Sequence, residues 1–198
     1  PGEAQELVEL EVTATLKQYG KYVETTDLLD MTHFDLNIDF DNVDSLTFRS
    51  NMEKHDFKIE KIIYLSRENF PVSANLFLPK TPGKHPGVIF LCGHSGNGKF
   101  SEAYRSGAAN LAAKGYAVLL IDPISQGERW QFTGVPNASK IHGLCTREHN
   151  MLGKQLRLCG EFFGAWRAYD ALRGLDYLLS RPEVDPARIG ITGNSGGG

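Results

Sequence analysis

The chain has 198 residues, 41% hydrophobic and 23% charged, with a formal net charge of -3, the make-up of an ordinary globular protein able to bury one sizeable core. No run of Lys and Arg marks a nucleic-acid or polybasic surface, and no apolar stretch approaches the roughly 18 residues of a membrane span. Small neutral or weakly charged partners are therefore expected, without nucleic acid or membrane. The opening "PGEAQELVEL" lacks the charged-then-apolar order of a signal peptide, but it begins with Pro1 rather than Met, so compartment stays open.

Along the chain, Ala4, Val8, Val12 and Leu16 recur every fourth residue and predict one face of an N-terminal helix. "FDLNIDFD", residues 34 to 41, alternates apolar and polar and carries Asp35, Asn37 and Asp39 at the spacing that opens a calcium loop. Such a loop needs Gly at its sixth position and Glu at its twelfth, where Phe40 and Leu46 stand. The stretch reads as an amphipathic strand or extended arm, and no metal or cofactor is expected. Residues 1–56 thus form an accessory segment, and 57–198 the main domain.

From residue 57, "FKIEKIIYLS" and "PVSANLFLPK" predict paired strands, and the wholly apolar "PGVIFLC" a buried one. "SEAYRSGAANLAAKGY" predicts a helix of small residues closed by Gly115 after Lys114, and "AVLLID" another buried strand. Residues 123 to 145, rich in Gly, Pro, Ser and Asn, read as loop. Phe162, Trp166, Tyr169, Leu172, Leu175 and Leu179 then mark a helix facing a sheet and ending before Pro182, and "ARIGIT" a last strand. The alternation predicts an α/β fold with a mostly parallel sheet, flanked by helices and entered through an antiparallel pair. Cys92, Cys145 and Cys159 have no metal-type spacing and read as free thiols.

Three chemistries compete for "GHSGNGKFS", residues 93 to 101. Gly93, Gly98 and Lys99 fit the core of a phosphate-binding loop, but the next residue must be Ser or Thr to hold magnesium, and it is Phe100. Ser95 as a nucleophile would need Gly at 97, where Asn97 stands. The third reading is an oxyanion loop. It gains weight from "GITGNSGGG" at the chain's end, where Gly193, Asn194, Ser195, Gly196 and Gly197 spell GxSxG after a predicted strand. In that turn the glycines two before and two after the serine pass too close for side chains, and the N–H of Gly196 is left free for an oxyanion. The second donor comes from the loop after the third strand of such folds.

"HPGVIFLCGHSGNGK", "GYAVLLIDPISQGER", "TREHN" and "YDALRGLDYLLSRPEVDPARIGITGNSGGG" together resemble the α/β-hydrolase superfamily, in its acetyl xylan esterase-like branch related to dienelactone hydrolases and prolyl oligopeptidases. The resemblance covers about residues 57 to 198. It implies a serine esterase acting on acetylated carbohydrate, with Ser195 as nucleophile and the backbone N–H groups of His94 and Gly196 as oxyanion hole. In that family the donor loop often reads His-Gly-X; here Cys92 stands for the His, Gly93 is the Gly and His94 is X. Asp122 matches a structural Asp after the fourth strand. The chain order Ser, acid, His places both remaining triad members after Ser195, so the domain is expected to be the N-terminal part of such a fold, truncated after the elbow. His94, His142 and His149 then read as loop or pocket-wall residues. A prolyl-oligopeptidase-like peptidase and a catalytically silent module are the alternatives.

Overall fold

The computed structural model describes residues 34–38, 46–54, 56–132 and 145–197, the first two stretches as backbone. The expected N-terminal helix, His142 and Gly198 lie outside the described residues. By contacts the chain divides between His33 and Phe34, and everything described belongs to the second unit.

The described strands form one seven-stranded sheet. In chain order they are β1 (Phe34–Ile38), β2 (Leu46–Lys54), β3 (Phe57–Arg67), β4 (Phe70–Pro79), β5 (His85–Leu91), β6 (Ala117–Ile121) and β7 (Val184–Gly193). Three helices are described: α1 (Glu102–Ala113), α2 (Cys145–Leu158) and α3 (Phe163–Ser180). The spatial order is β1-β2-β3-β4-β6-β5-β7. The α/β architecture is the expected one, but the sheet is mixed rather than mostly parallel. β5 pairs in parallel with both β6 and β7, whereas β1 to β4 form an antiparallel meander that joins β6 antiparallel. The excess of antiparallel pairing comes from the segment before residue 57, whose two strands extend the sheet through β3.

Strand composition follows burial. β6 is buried along its whole length, as "AVLLI" requires, because it lies inside the sheet between β4 and β5 with a core on each face. Alternate residues serve two cores. Ala117, Leu119 and Ile121 join Ile62, Tyr64, Val72, Leu76, Ile89 and Leu178 on one face. Val118 and Leu120 join Phe77, Cys92, Tyr104, Ala108 and Ala112 on the other. Small residues let both helices approach closely: a Cβ on Gly174 of α3 would come within 2.7 Å of Tyr64 Oη and 2.8 Å of Ile121 Cδ1. Burying Leu178 fully contributes about 2 kcal/mol.

α1 ends as its sequence predicts. Gly115 has φ +93, its N–H reaches Ala112 O at 3.0 Å, and the Tyr116 N–H reaches Leu111 O at 3.1 Å, closing the last turn. The connection after β6 contains more structure than its composition suggests. Residues 123–132 form tight turns, 133–144 lie outside the described residues, and α2 follows at once. α2 escapes hydrophobic periodicity because its buried face carries Cys145, Glu148 and His149, two of them polar. The three cysteines are free thiols, Cys92 and Cys145 buried and Cys159 exposed.

Candidate active site

The parallel strands β5 and β7 end side by side, with Leu91 opposite Gly193, and the loops that leave them meet. After β7 the chain turns sharply: Ser195 takes φ +53, and residues 195–197 make a single 3-10 turn closed by the Gly197 N–H on Asn194 O at 2.9 Å. Left-handed backbone is costly for a residue with a Cβ, so this turn is held by what surrounds it. The surroundings are close-packed backbone. A Cβ on Gly193 would lie 1.9 Å from Gly197 O, and one on Gly197 would lie 2.3 Å from Leu91 O. No side chain fits either place. Ser195 itself is exposed at the sheet's edge.

The loop after β5 lies directly against this turn. A Cβ on Gly93 would come within 2.5 Å of Asn194 O and 3.3 Å of Ser195 Cβ, and one on Gly196 within 2.7 Å of the His94 ring. Ser195, Gly196, Gly93 and His94 are therefore brought together, although about a hundred residues separate the two loops. The crowding at Gly196 has no counterpart in the sequence pattern, which demands glycine only at 193 and 197.

Lys99, the residue that imitates a phosphate-binding lysine, faces inward. Its ammonium pairs with Asp122 Oδ2 at 2.5 Å and with the Glu128 carboxylate, and its side chain is 2% exposed. Burial alone would lower its pKa, but the two carboxylates outweigh it and hold the ammonium charged. A lysine so engaged is not available to a nucleotide phosphate. Asp122, wholly buried, also accepts from the backbone N–H of Lys99 at 2.6 Å and of Glu128 at 3.1 Å, and from the Ser73 hydroxyl at 2.8 Å. Gly98 and Gly127, both with positive φ, close over it: a Cβ on either would fall within 2.2 Å of Asp122 Oδ1. Asp122 thus ties the loop after β5 to the turn after β6. Arg129 fixes that turn in place by donating to Asp122 O at 3.0 Å and to Asp170 Oδ2 of α3 at 2.8 Å.

His149 sits below His94, with ring centroids 5.1 Å apart, and against Phe163 at 5.0 Å. Its Nε2 meets the Ile124 carbonyl at 2.8 Å, and a carbonyl only accepts, so Nε2 carries the proton. Nδ1 is left buried without a partner. Burial, followed by the Arg167 and His94 charges, pulls its pKa down from 6.5 to about 4 despite the Ile124 bond. Between these values the unfolded chain binds a proton that the folded chain refuses, so stability falls as pH drops through that window and no further below it. The whole effect is on the order of 3 kcal/mol. In thermal melts from pH 7 to 4, the His149→Gln variant, whose amide can keep the Ile124 bond, is expected to lose less stability than the parent. Parallel curves would remove His149 as the titrating group.

A cavity of about 400 Å³ lies under the Ser195 turn between β7 and α3, lined by Leu91, Pro123, Arg167, Ile191, Gly196 and Gly197. Neither Ser195 nor His94 lines it, so it does not address the serine hydroxyl. Among the described residues no group of three metal-ligating side chains comes together, and no helix is long and apolar enough to cross a membrane.

Comparison with known proteins bears on the family and the fold. A Bacillus subtilis (strain 168) protein, YtaP, provisionally named a hydrolase, is 34% identical over 130 residues, which are 60% of this chain and 38% of that protein. A Bacteroides fragilis NCTC 9343 protein, provisionally named an acetyl xylan esterase, superimposes with a TM-score of 0.65 at 14% identity over 92% of this chain and 47% of its own. Acetyl xylan esterase 1 of Thermoanaerobacterium sp. JW/SL YS485 does so with a TM-score of 0.51 at 19% identity, over 92% and 51%. The chain spans about half or less of the length of these proteins, and the structural likenesses establish its fold as that of the α/β-hydrolases. The family model described as acetyl xylan esterase (AXE1) matches residues 12–198, nearly the whole sequence, and the chain belongs to that family.

Proposed function

We propose that this chain carries the nucleophile and oxyanion hole of a serine carboxylesterase acting on acetyl esters of carbohydrates. Ser195 attacks the ester carbonyl, the N–H groups of Gly196 and His94 hold the negative charge that develops on the carbonyl oxygen, the alcohol departs, and water then releases acetate from the acylated serine. The observation that carries the reading is the left-handed Ser195, exposed at the end of a parallel strand, close to Gly93 and followed by Gly196, which lies against the His94 ring. A backbone in that conformation presents the hydroxyl outward and frees the following N–H for a charge in front of it. One such donor is worth about 3 kcal/mol of barrier.

The general base is assigned to a histidine following Ser195 in the order of this fold, and not to His149, whose protonated nitrogen is committed to Ile124 and whose basicity is depressed. Acetylated carbohydrate as substrate rests on the family alone. In a protein of the relatives' length, acetylated xylo-oligosaccharides and p-nitrophenyl acetate are expected to be hydrolysed, and proline-containing peptides left intact. Turnover of the peptides with the esters untouched would replace the esterase by a peptidase.

A further inference from the structure

Gln126 lies in the block "GYAVLLIDPISQGER" without a role assigned to it there, and it is wholly buried in the turn after β6, between Ser125 at φ +64 and Gly127 at φ +57. Its side-chain Nε2 donates to Gly93 O at 2.8 Å and to Ser95 O at 2.9 Å. These carbonyls stand on either side of His94. Both hydrogens of one amide are thus spent on two backbone acceptors of one loop, while Oε1 stays buried without a partner. The amide cannot be turned over, since its oxygen would then face two carbonyl oxygens. Leaving a buried acceptor unpaired is a cost the fold carries to keep those two bonds.

The chemical consequence lies in the Gly93–His94 peptide. Its C=O and the His94 N–H belong to one planar trans unit and point in opposite directions. Holding the Gly93 oxygen therefore fixes where the His94 N–H points, and a donor on the oxygen also polarises the N–H. The bond from Gly127 N–H to Gly96 O at 3.1 Å and the Lys99–Asp122 pair hold the rest of the loop, so Gln126 acts on the part beside Ser195. We propose that Gln126 is a positioning residue for the oxyanion hole, aiming and polarising the His94 N–H from behind through its grip on Gly93 O and Ser95 O. This rests on the proposed function, in which that N–H is a donor.

The test uses a protein of the relatives' length and compares Gln126→Met, which keeps the volume and loses both donors, with the parent. Three quantities are read: kcat and KM for phenyl acetate, the ratio of kcat/KM for phenyl acetate to that for its thionoacetate counterpart, and labelling of Ser195 by a fluorophosphonate. A misaimed donor is expected to lower kcat about 10–100-fold while KM stays within about threefold. The preference for the oxygen ester should narrow, because sulfur is the poorer hydrogen-bond acceptor and depends less on the donor. A loss shared between kcat and KM with the ester ratio unchanged, or a kcat within about twofold of the parent, would overturn the role. Should the Met variant not fold, Gln126→Glu, of the same shape but without the paired donors, is read against the same criteria. A parent protein that hydrolyses esters without labelling at Ser195 would instead remove the proposed function, a separate outcome from either result at Gln126.

Discussion

Replacing Ser195 by alanine, in a protein of the relatives' length, is expected to cost about six decades of kcat on acetyl esters, the loss seen when a serine nucleophile is removed from a well-studied protease. The proposed reaction has no substitute for this oxygen. Ser95, the other serine of the site, keeps its hydroxyl near the N–H of Asn97 at 3.3 Å, and its carbonyl is bound by Gln126. Some catalysis over water should survive, since the N–H groups of Gly196 and His94 would still bind a developing oxyanion. KM is expected to change little, because the hydroxyl contributes to the transition state and hardly to ground-state binding. A variant retaining more than about a tenth of parental kcat would point to another nucleophile.

The largest effect on stability is expected at Asp122. Asp122→Ala removes a buried carboxylate that answers four donors: the Lys99 ammonium, two backbone N–H groups and the Ser73 hydroxyl. What remains is a buried ammonium with only the partly exposed Glu128 as counter-ion. Breaking a buried pair from one side typically costs about 3–5 kcal/mol, a large share of a domain's total stability. For a protein of this size that corresponds to a fall in melting temperature of roughly 10 °C. Removing both charges together, as in Asp122→Leu with Lys99→Met, should cost less than the sum of the single changes, since no lone charge is left inside. A loss below about 1 kcal/mol for Asp122→Ala would mean that the loops are held by their backbone bonds alone.

Much of the fold is legible in the sequence. β5 and β6 announce themselves as short apolar runs because they lie inside the sheet with a core on each face, and α1 closes where Lys114 and Gly115 say it should. The Ser195 turn is recognisable from its glycines because backbone clashes, which depend on local geometry, leave no other residue possible there. What stayed hidden depends on contacts between distant residues. Phe100 already speaks against Lys99 as a phosphate ligand, but that Asp122 and Glu128, 23 and 29 residues away, enclose it is visible only in the fold. Gln126 is an unremarked polar residue in a polar loop, and only its place behind Gly93 and Ser95 gives it meaning. α2 is not legible in the sequence because Glu148 and His149 occupy the face where a helix usually shows apolar residues. The mixed sheet is not legible because residues 1–56 read as an accessory segment, whereas β1 and β2 within it extend the sheet through β3.

The central claim is that Ser195 is the nucleophile. A fluorophosphonate reacts with a serine only where the hydroxyl is activated and the adduct's oxyanion is received, so the site of its attachment reports both halves of the proposal at once. Digestion and mass spectrometry of the labelled protein, at the length of its relatives, is the direct measurement. The account predicts one adduct on the peptide containing Ser195, lost in Ser195→Ala; an adduct on Ser95, or an active esterase carrying no adduct at Ser195, would contradict it.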